Sequence, residues 1–149
     1  MTQQMSAKTT LTYEGVNVGD ELPQLSIPLT RTLIVATAIA SRDYQDVHHD
    51  PLLAKERGSK DIFMNILSTN GFVGRFITDW AGPDAVLQQV RIRLGAPNYP
   101  DDTMVMTGTV TSKDEVDGKG IVEVGVKGTN SLGDHVKGTV RVALPRARA

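Results

Sequence analysis

Between Ser41 and Pro51 the chain reads SRDYQDVHHDP, which places Asp43, Asp46, Asp50, His48 and His49 within eleven residues. A histidine titrates near neutral pH and can take a proton from water, while a nearby carboxylate can orient that water or relay the proton. Asp43 and His48 stand five apart on what reads as an irregular connector, so their side chains can converge on one water molecule. A metal site is a poor reading of the same residues. The side chains of the adjacent His48 and His49 diverge, no H-E-x-x-H spacing occurs, and no third convergent ligand stands out. A turn-closing Asp43 with a packed, hydrogen-bonded His48 is the non-catalytic alternative, and an Asp-x₄-His spacing does not decide between the two.

These groups need a frame to hold them. The 149 residues fit one domain, and 40% hydrophobic with 22% charged residues is the composition of a soluble globular chain. Sixteen basic against 17 acidic residues leave a net charge of -1, which gives no electrostatic footprint for nucleic acid. The absence of cysteine excludes disulfides, thiolate nucleophiles and sulfur-ligated metals. The opening MTQQMSAKTT is polar, lacks the regions of a secretory signal and reads as a loose tail. The apolar run Leu33 to Ala40 is eight residues long, against the roughly 20 that a spanning helix requires. A cytoplasmic protein with no membrane contact is expected.

Small and helix-forming residues dominate the first half, and alternating β-branched segments the second, so the class reads as α+β with an antiparallel sheet. A first strand is expected over Leu22 to Thr30, a short helix over Thr32 to Ala40, and a further helical turn or two between Pro51 and Gly58. The main helix is predicted from Ile62 to Trp80, because Ile62, Phe63, Ile66, Leu67, Val73, Phe76, Ile77 and Trp80 recur at spacings of three and four. Gly71 and Gly74 inside it imply close approach to a sheet, and AGPD at Ala81 to Asp84 ends it. Strands follow from Val86, Thr103, Ile121 and His135, with turns at Asp117-Gly118 and Leu132-Gly133-Asp134. His135 is expected to be structural, in a hairpin turn, and Met104, Met106, Phe63 and Trp80 to be core. This order describes a single hot-dog fold, an antiparallel sheet wrapped around a long central helix. The domain is expected over 21–145, with a flexible segment at 1–20 and a tail at 146–149.

The connector resembles the D-x-N-P-[LIV]-H motif, often continued as x-D-P, of the MaoC-like (hydratase 2) family of (R)-specific enoyl-CoA hydratases. Asp43, Val47, His48, Asp50 and Pro51 match in register, while Gln45 and Asp46 replace the usual Asn-Pro. IFMNIL from Ile62 is similar to the family's apolar-Pro-Gly-Met-Leu sequence, with Asn65 at the glycine position. RLGAPNYPDDT from Arg93 resembles its R-F-x-x-P-V-x-x-G-D segment. GSKDIFMNIL, ITDWAG and SLGDHV look like the small-subunit branch that acts on steroid side-chain CoA esters, and the likeness runs from about Leu22 to Leu144.

The resemblance implies an enoyl-CoA hydratase with Asp43 and His48 as the catalytic pair. Hydration also requires a donor for the thioester oxygen as it gains charge, and a backbone N–H at a helix N-terminus suits that role. Asn65 is the candidate, through its backbone and not its side chain. Arg93, with Arg91, is a possible contact for the CoA phosphates, although a solvated strand face is at least as good a reading. His49 is a solvated neighbour or a substrate-channel residue. No metal and no cofactor is expected, CoA being part of the substrate. The implied partner is a second MaoC-like subunit in a heteromer, with a homodimer as fallback. A hot-dog acyl-CoA thioesterase and a non-catalytic hot-dog partner subunit are the competing functions. The thioesterase commonly uses a carboxylate on the central helix, where this chain offers only Asp79.

Overall fold

Successive side chains of an extended chain point to opposite faces, so alternating segments with one apolar face form a sheet that must be covered. The computed structural model describes residues 9–147. Its elements are β1 (Leu25–Leu29), α1 (Arg31–Ala40), α2 (Pro51–Glu56), α3 (Ile66–Ala81), β2 (Val86–Leu94), β3 (Asp102–Val116), β4 (Lys119–Asn130) and β5 (Gly133–Leu144). Tyr13–Gly15 and Asp46–His48 form 3₁₀ turns. The five strands make one sheet in the order β1-β3-β4-β5-β2, with every pairing antiparallel. Asp117 and Gly118 both have positive φ (51° and 74°), which suits the tight β3–β4 turn.

The sheet turns one apolar face inward: Met104, Met106, Val110, Val122, Val124, Val140 and Val142 are buried. Val73, Phe76, Ile77 and Ala81 of α3 cover them. Each Val, Ile or Phe fully buried in this way contributes about 1.5–3 kcal/mol. The helix comes close because β3 has no side chain under Phe76: a Cβ on Gly108 would lie 2.9 Å from that ring.

Four expectations are corrected. First, α3 begins at Ile66 with Asn65 as its cap, not at Ile62. The N–H groups of Phe63 and Met64 donate to Val47 O (3.1 Å) and Asn98 O (3.0 Å), which holds that stretch extended and outside the helix. Second, Ile66 and Leu67, counted in the buried stripe, are each 52% exposed on the first turn. Third, Gly71 faces open space and Gly74 meets only Leu87 at an ordinary distance, so neither marks a close approach to the sheet. Fourth, His135 lies in β5 and not in a turn. The pairing of β4 with β5 shifts there, Gly128 opposing Val136 and Thr129 opposing Asp134, which leaves His135 as an extra residue that is turned inward and buried.

The expected flexible segment is also tied down from residue 9 onward. Leu11 N–H donates to Ala81 O, Tyr13 N–H to Pro145 O, and Val16 is buried. The rest of that expected tail, 1–8, and residues 148–149 lie outside the described residues. No helix among the described residues is long and apolar enough to cross a membrane.

Candidate active site

The end of α1 delivers Asp43. The N–H groups of Arg42 and Asp43 turn back to Ile39 O and Ala38 O (both 3.0 Å), with Arg42 left-handed at φ 57° where such helix ends usually carry glycine. That reversal turns the Asp43 side chain toward the N-terminus of α3. The following 3₁₀ turn delivers His48, and Asp50 then caps α2, accepting from Leu52 and Leu53 N–H.

His48 is buried, and its Nδ1 lies 2.7 Å from the Phe63 carbonyl. A carbonyl only accepts, so Nδ1 carries a proton, and in the neutral imidazole Nε2 presents a lone pair. The edge of Phe63 packs on the imidazole with centroids 4.9 Å apart, and Tyr99 packs on Phe63 in turn. His48 Nε2 then faces Asp43 Oδ2 at 3.4 Å. With the imidazole neutral, both atoms are acceptors that a donating water can bridge; with it protonated, Nε2–H is directed at the carboxylate.

Asp43 is held below the usual carboxylate range, chiefly by the Asn65 amide that donates to Oδ2 (3.0 Å), with burial opposing and Gln45 N–H and His48 assisting. Asn65 is buried and caps α3, its Oδ1 accepting from Ser68 N–H at 2.9 Å. The N–H groups of Asn65 and Ile66 have no acceptor among the described residues. Both residues line a cavity of about 340 Å³ together with Asp43, His48, Phe63 and Leu94. His135 forms part of its wall. Its Nδ1–H donates to Ala96 O (2.6 Å) and its Nε2 accepts from the Thr69 hydroxyl (2.8 Å), while burial pushes its pKa down. It is a neutral strut between sheet and helix.

The structure thus brings Asp43, His48 and Asn65 together around one cavity. It does not bring in Arg93 or His49. Arg93 is exposed on β2 opposite Lys137 and borders a neighbouring depression that shares Leu94 and Gly95 with the cavity wall. His49 turns away from the cavity, with its Nδ1 buried and unpaired among the described residues. Asp79, the carboxylate of the central helix, is exposed and paired with Arg75. Sequence reasoning missed the Asn65 side chain; an Asn three residues before Ser68, at the edge of an apolar stripe, is the capping signal that marks it.

The family profile described as MaoC like domain matches residues 15–131. The chain belongs to the MaoC-like domain family. This MaoC-like domain is 48% identical over 127 residues to the 3-oxo-4,17-pregnadiene-20-carboxyl-CoA hydratase beta subunit of Mycobacterium tuberculosis, covering 85% of this chain and 95% of that protein. It superposes with a TM-score of 0.82 and 48% identity on a chain in the crystal structure of the ChsH1-ChsH2 complex from M. tuberculosis, covering 86% of this chain and 98% of that one. The (R)-hydratase from A. caviae involved in PHA biosynthesis, at 19% identity and a TM-score of 0.79 over 89% of this chain and 99% of its own, shares the fold. The MaoC-like domain is therefore a hot-dog fold of the α+β class, as the strand order and central helix imply.

Proposed function

We propose that this chain is the catalytic subunit of an enoyl-CoA hydratase, adding water across the 2,3 double bond of a 2-enoyl-CoA. The observation that carries the reading is the approach of His48 Nε2 to Asp43 Oδ2, 3.4 Å apart below the N-terminus of α3, where with the imidazole neutral both atoms accept. A water donating one hydrogen to each has its oxygen free to attack the β-carbon. As that bond forms, Nε2 takes a proton, and the electrons of the double bond move onto the α-carbon and thioester oxygen. The N–H of Asn65, unpaired among the described residues and at the positive end of α3, donates to that oxygen. The Asp43 carboxylate stabilises the imidazolium, which then returns its proton to the α-carbon from the side on which hydroxide added. Water is consumed, one C–O and one C–H bond form, and no electrons leave, so the reaction requires no cofactor beyond the CoA of the substrate.

The 48% identity to the M. tuberculosis hydratase subunit supports a steroid side-chain CoA ester as the acyl group. A cavity of about 340 Å³ stands at the low end of the roughly 300–1,000 Å³ of ligand sites, and a four-ring acyl group with a pantetheine arm needs further wall. We infer that a second MaoC-like subunit supplies it, in a heteromer. The test is spectrophotometric: steroid and short-chain 2-enoyl-CoA esters are offered to the chain with and without its partner. Loss of the conjugated absorbance without thiol release, fastest on the steroid ester and with both subunits, is expected. Thiol release, or full steroid activity from this chain alone, contradicts the reading.

A further inference from the structure

Asn65 is 1% exposed, and its side chain uses its whole hydrogen-bonding capacity. Ser68 N–H is a backbone donor, so the oxygen it meets at 2.9 Å must be Oδ1, which also accepts from the Ser68 hydroxyl. The amide nitrogen is thereby forced toward α1. It donates to Ser41 Oγ (2.9 Å) and to Asp43 Oδ2 (3.0 Å). Ser41 returns its own hydrogen to Thr37 O at 2.8 Å, so it can only accept from Asn65. The cap of α3 and the end of α1 therefore fix the direction of a single N–H on the carboxylate oxygen that faces His48.

We propose that the Asn65 side chain is a positioning residue for hydration: it holds Asp43 as the ionised, water-orienting partner and leaves proton transfer to His48. This rests on the hydratase reading above. A carboxylate oxygen that already accepts an N–H is a poor proton acceptor, because hydrogen bonds to the charged form favour that form. His48 Nε2 accepts from no donor among the described residues, so in the neutral imidazole its lone pair is available as the base. The other titratable groups around the site are engaged elsewhere: Asp46 by Arg57 at 2.6 Å, and His135 by Thr69 and Ala96. A glycine at this position would keep the backbone N–H and lose this control of Asp43.

Two variants separate capping from positioning. Asn65→Ser keeps a good helix cap but is too short to reach Asp43. Asn65→Asp keeps cap and shape while setting a like charge against Asp43. Each is measured in the complex by kcat/KM against pH on a 2-enoyl-CoA, and by ¹³C NMR titration of the Asp43 carboxyl. N65S is expected to melt near the wild type, to lose kcat by about 10²-fold with KM little changed, and to show the Asp43 titration displaced to higher pH. N65D is expected to lose at least about 10²-fold. A hydrating wild type whose N65S and N65D variants keep its kcat and its Asp43 titration overturns the role of Asn65 alone. A wild type that hydrates no enoyl thioester overturns the hydratase reading, and this role with it.

Discussion

Arg31 opens α1 and clasps Asp61, the residue that leads into the extended stretch before α3. The guanidinium donates from Nη1 to Oδ1 (2.9 Å) and from Nη2 to Oδ2 (2.8 Å), while Ile62 N–H donates to the same Oδ1 at 2.7 Å. Asp61 falls from 3.8 to about 2, mainly through the Arg31 bonds, with burial opposing and Ile62 N–H assisting. A carboxylate lowered in the folded state contributes stability that is present above 3.8 and is lost as pH falls toward about 2. At about 1.36 kcal/mol per pH unit the upper bound is roughly 2.5 kcal/mol. The Arg31 side chain is 48% exposed, and solvent screening brings the expected contribution to about 1 kcal/mol. Asp61→Asn keeps the acceptor for Ile62 and removes the charge, so urea unfolding at about pH 7 should show a loss of about 1 kcal/mol that narrows by about pH 3 and in high salt. A loss of the same size at both pH values would refute the electrostatic account.

Burial keeps His135 below its ordinary 6.5, with the Ala96 bond partly opposing, so its contribution to stability is full above 6.5 and declines as pH falls below it. His135→Gln, which can still donate to Ala96 O and accept from Thr69, should flatten the stability profile on the acid side of that value, as followed by thermal melts across pH. Gly138→Ala would put a Cβ 2.0 Å from Arg91 O in the β2–β5 pairing, and should cost at least the roughly 1–3 kcal/mol typical of overpacking. Gly71→Ala meets nothing within 4 Å and should stabilise the isolated chain by about 1 kcal/mol, the helix-propensity difference; both are read from urea midpoints.

The strands were legible because one face of each is apolar and the turns carry Asp-Gly or Gly, and the later part of α3 because Val73, Phe76, Ile77 and Trp80 keep one stripe. Asp43 and His48 were legible as a pair from spacing and family motif together. The start of α3 was not, since Ile62 and Phe63 continue the apolar pattern and only long-range bonds to Val47 and Asn98 hold that stretch extended. The inward turn of His135 depends on a bulge, which leaves no periodic mark in the sequence. Gly71 misled for a related reason: a missing side chain signals space, and the sequence does not say whether a sheet or open surface lies there. The Asn65 amide escaped notice because its partners Ser41 and Asp43 lie more than twenty positions away.

The proposed hydration depends on Asp43 and His48 together activating water for addition to an enoyl thioester. It is tested most directly by the single-turnover hydration rate of the wild-type complex beside Asp43→Asn and His48→Ala. Each substitution keeps a side chain that the fold can accommodate, and circular dichroism checks that the sheet is retained. Each rate is expected to fall by about 10² or more, and the double variant to be scarcely slower than His48→Ala because the two groups act on one water. A near-normal rate in either single variant, in a folded protein, would contradict it.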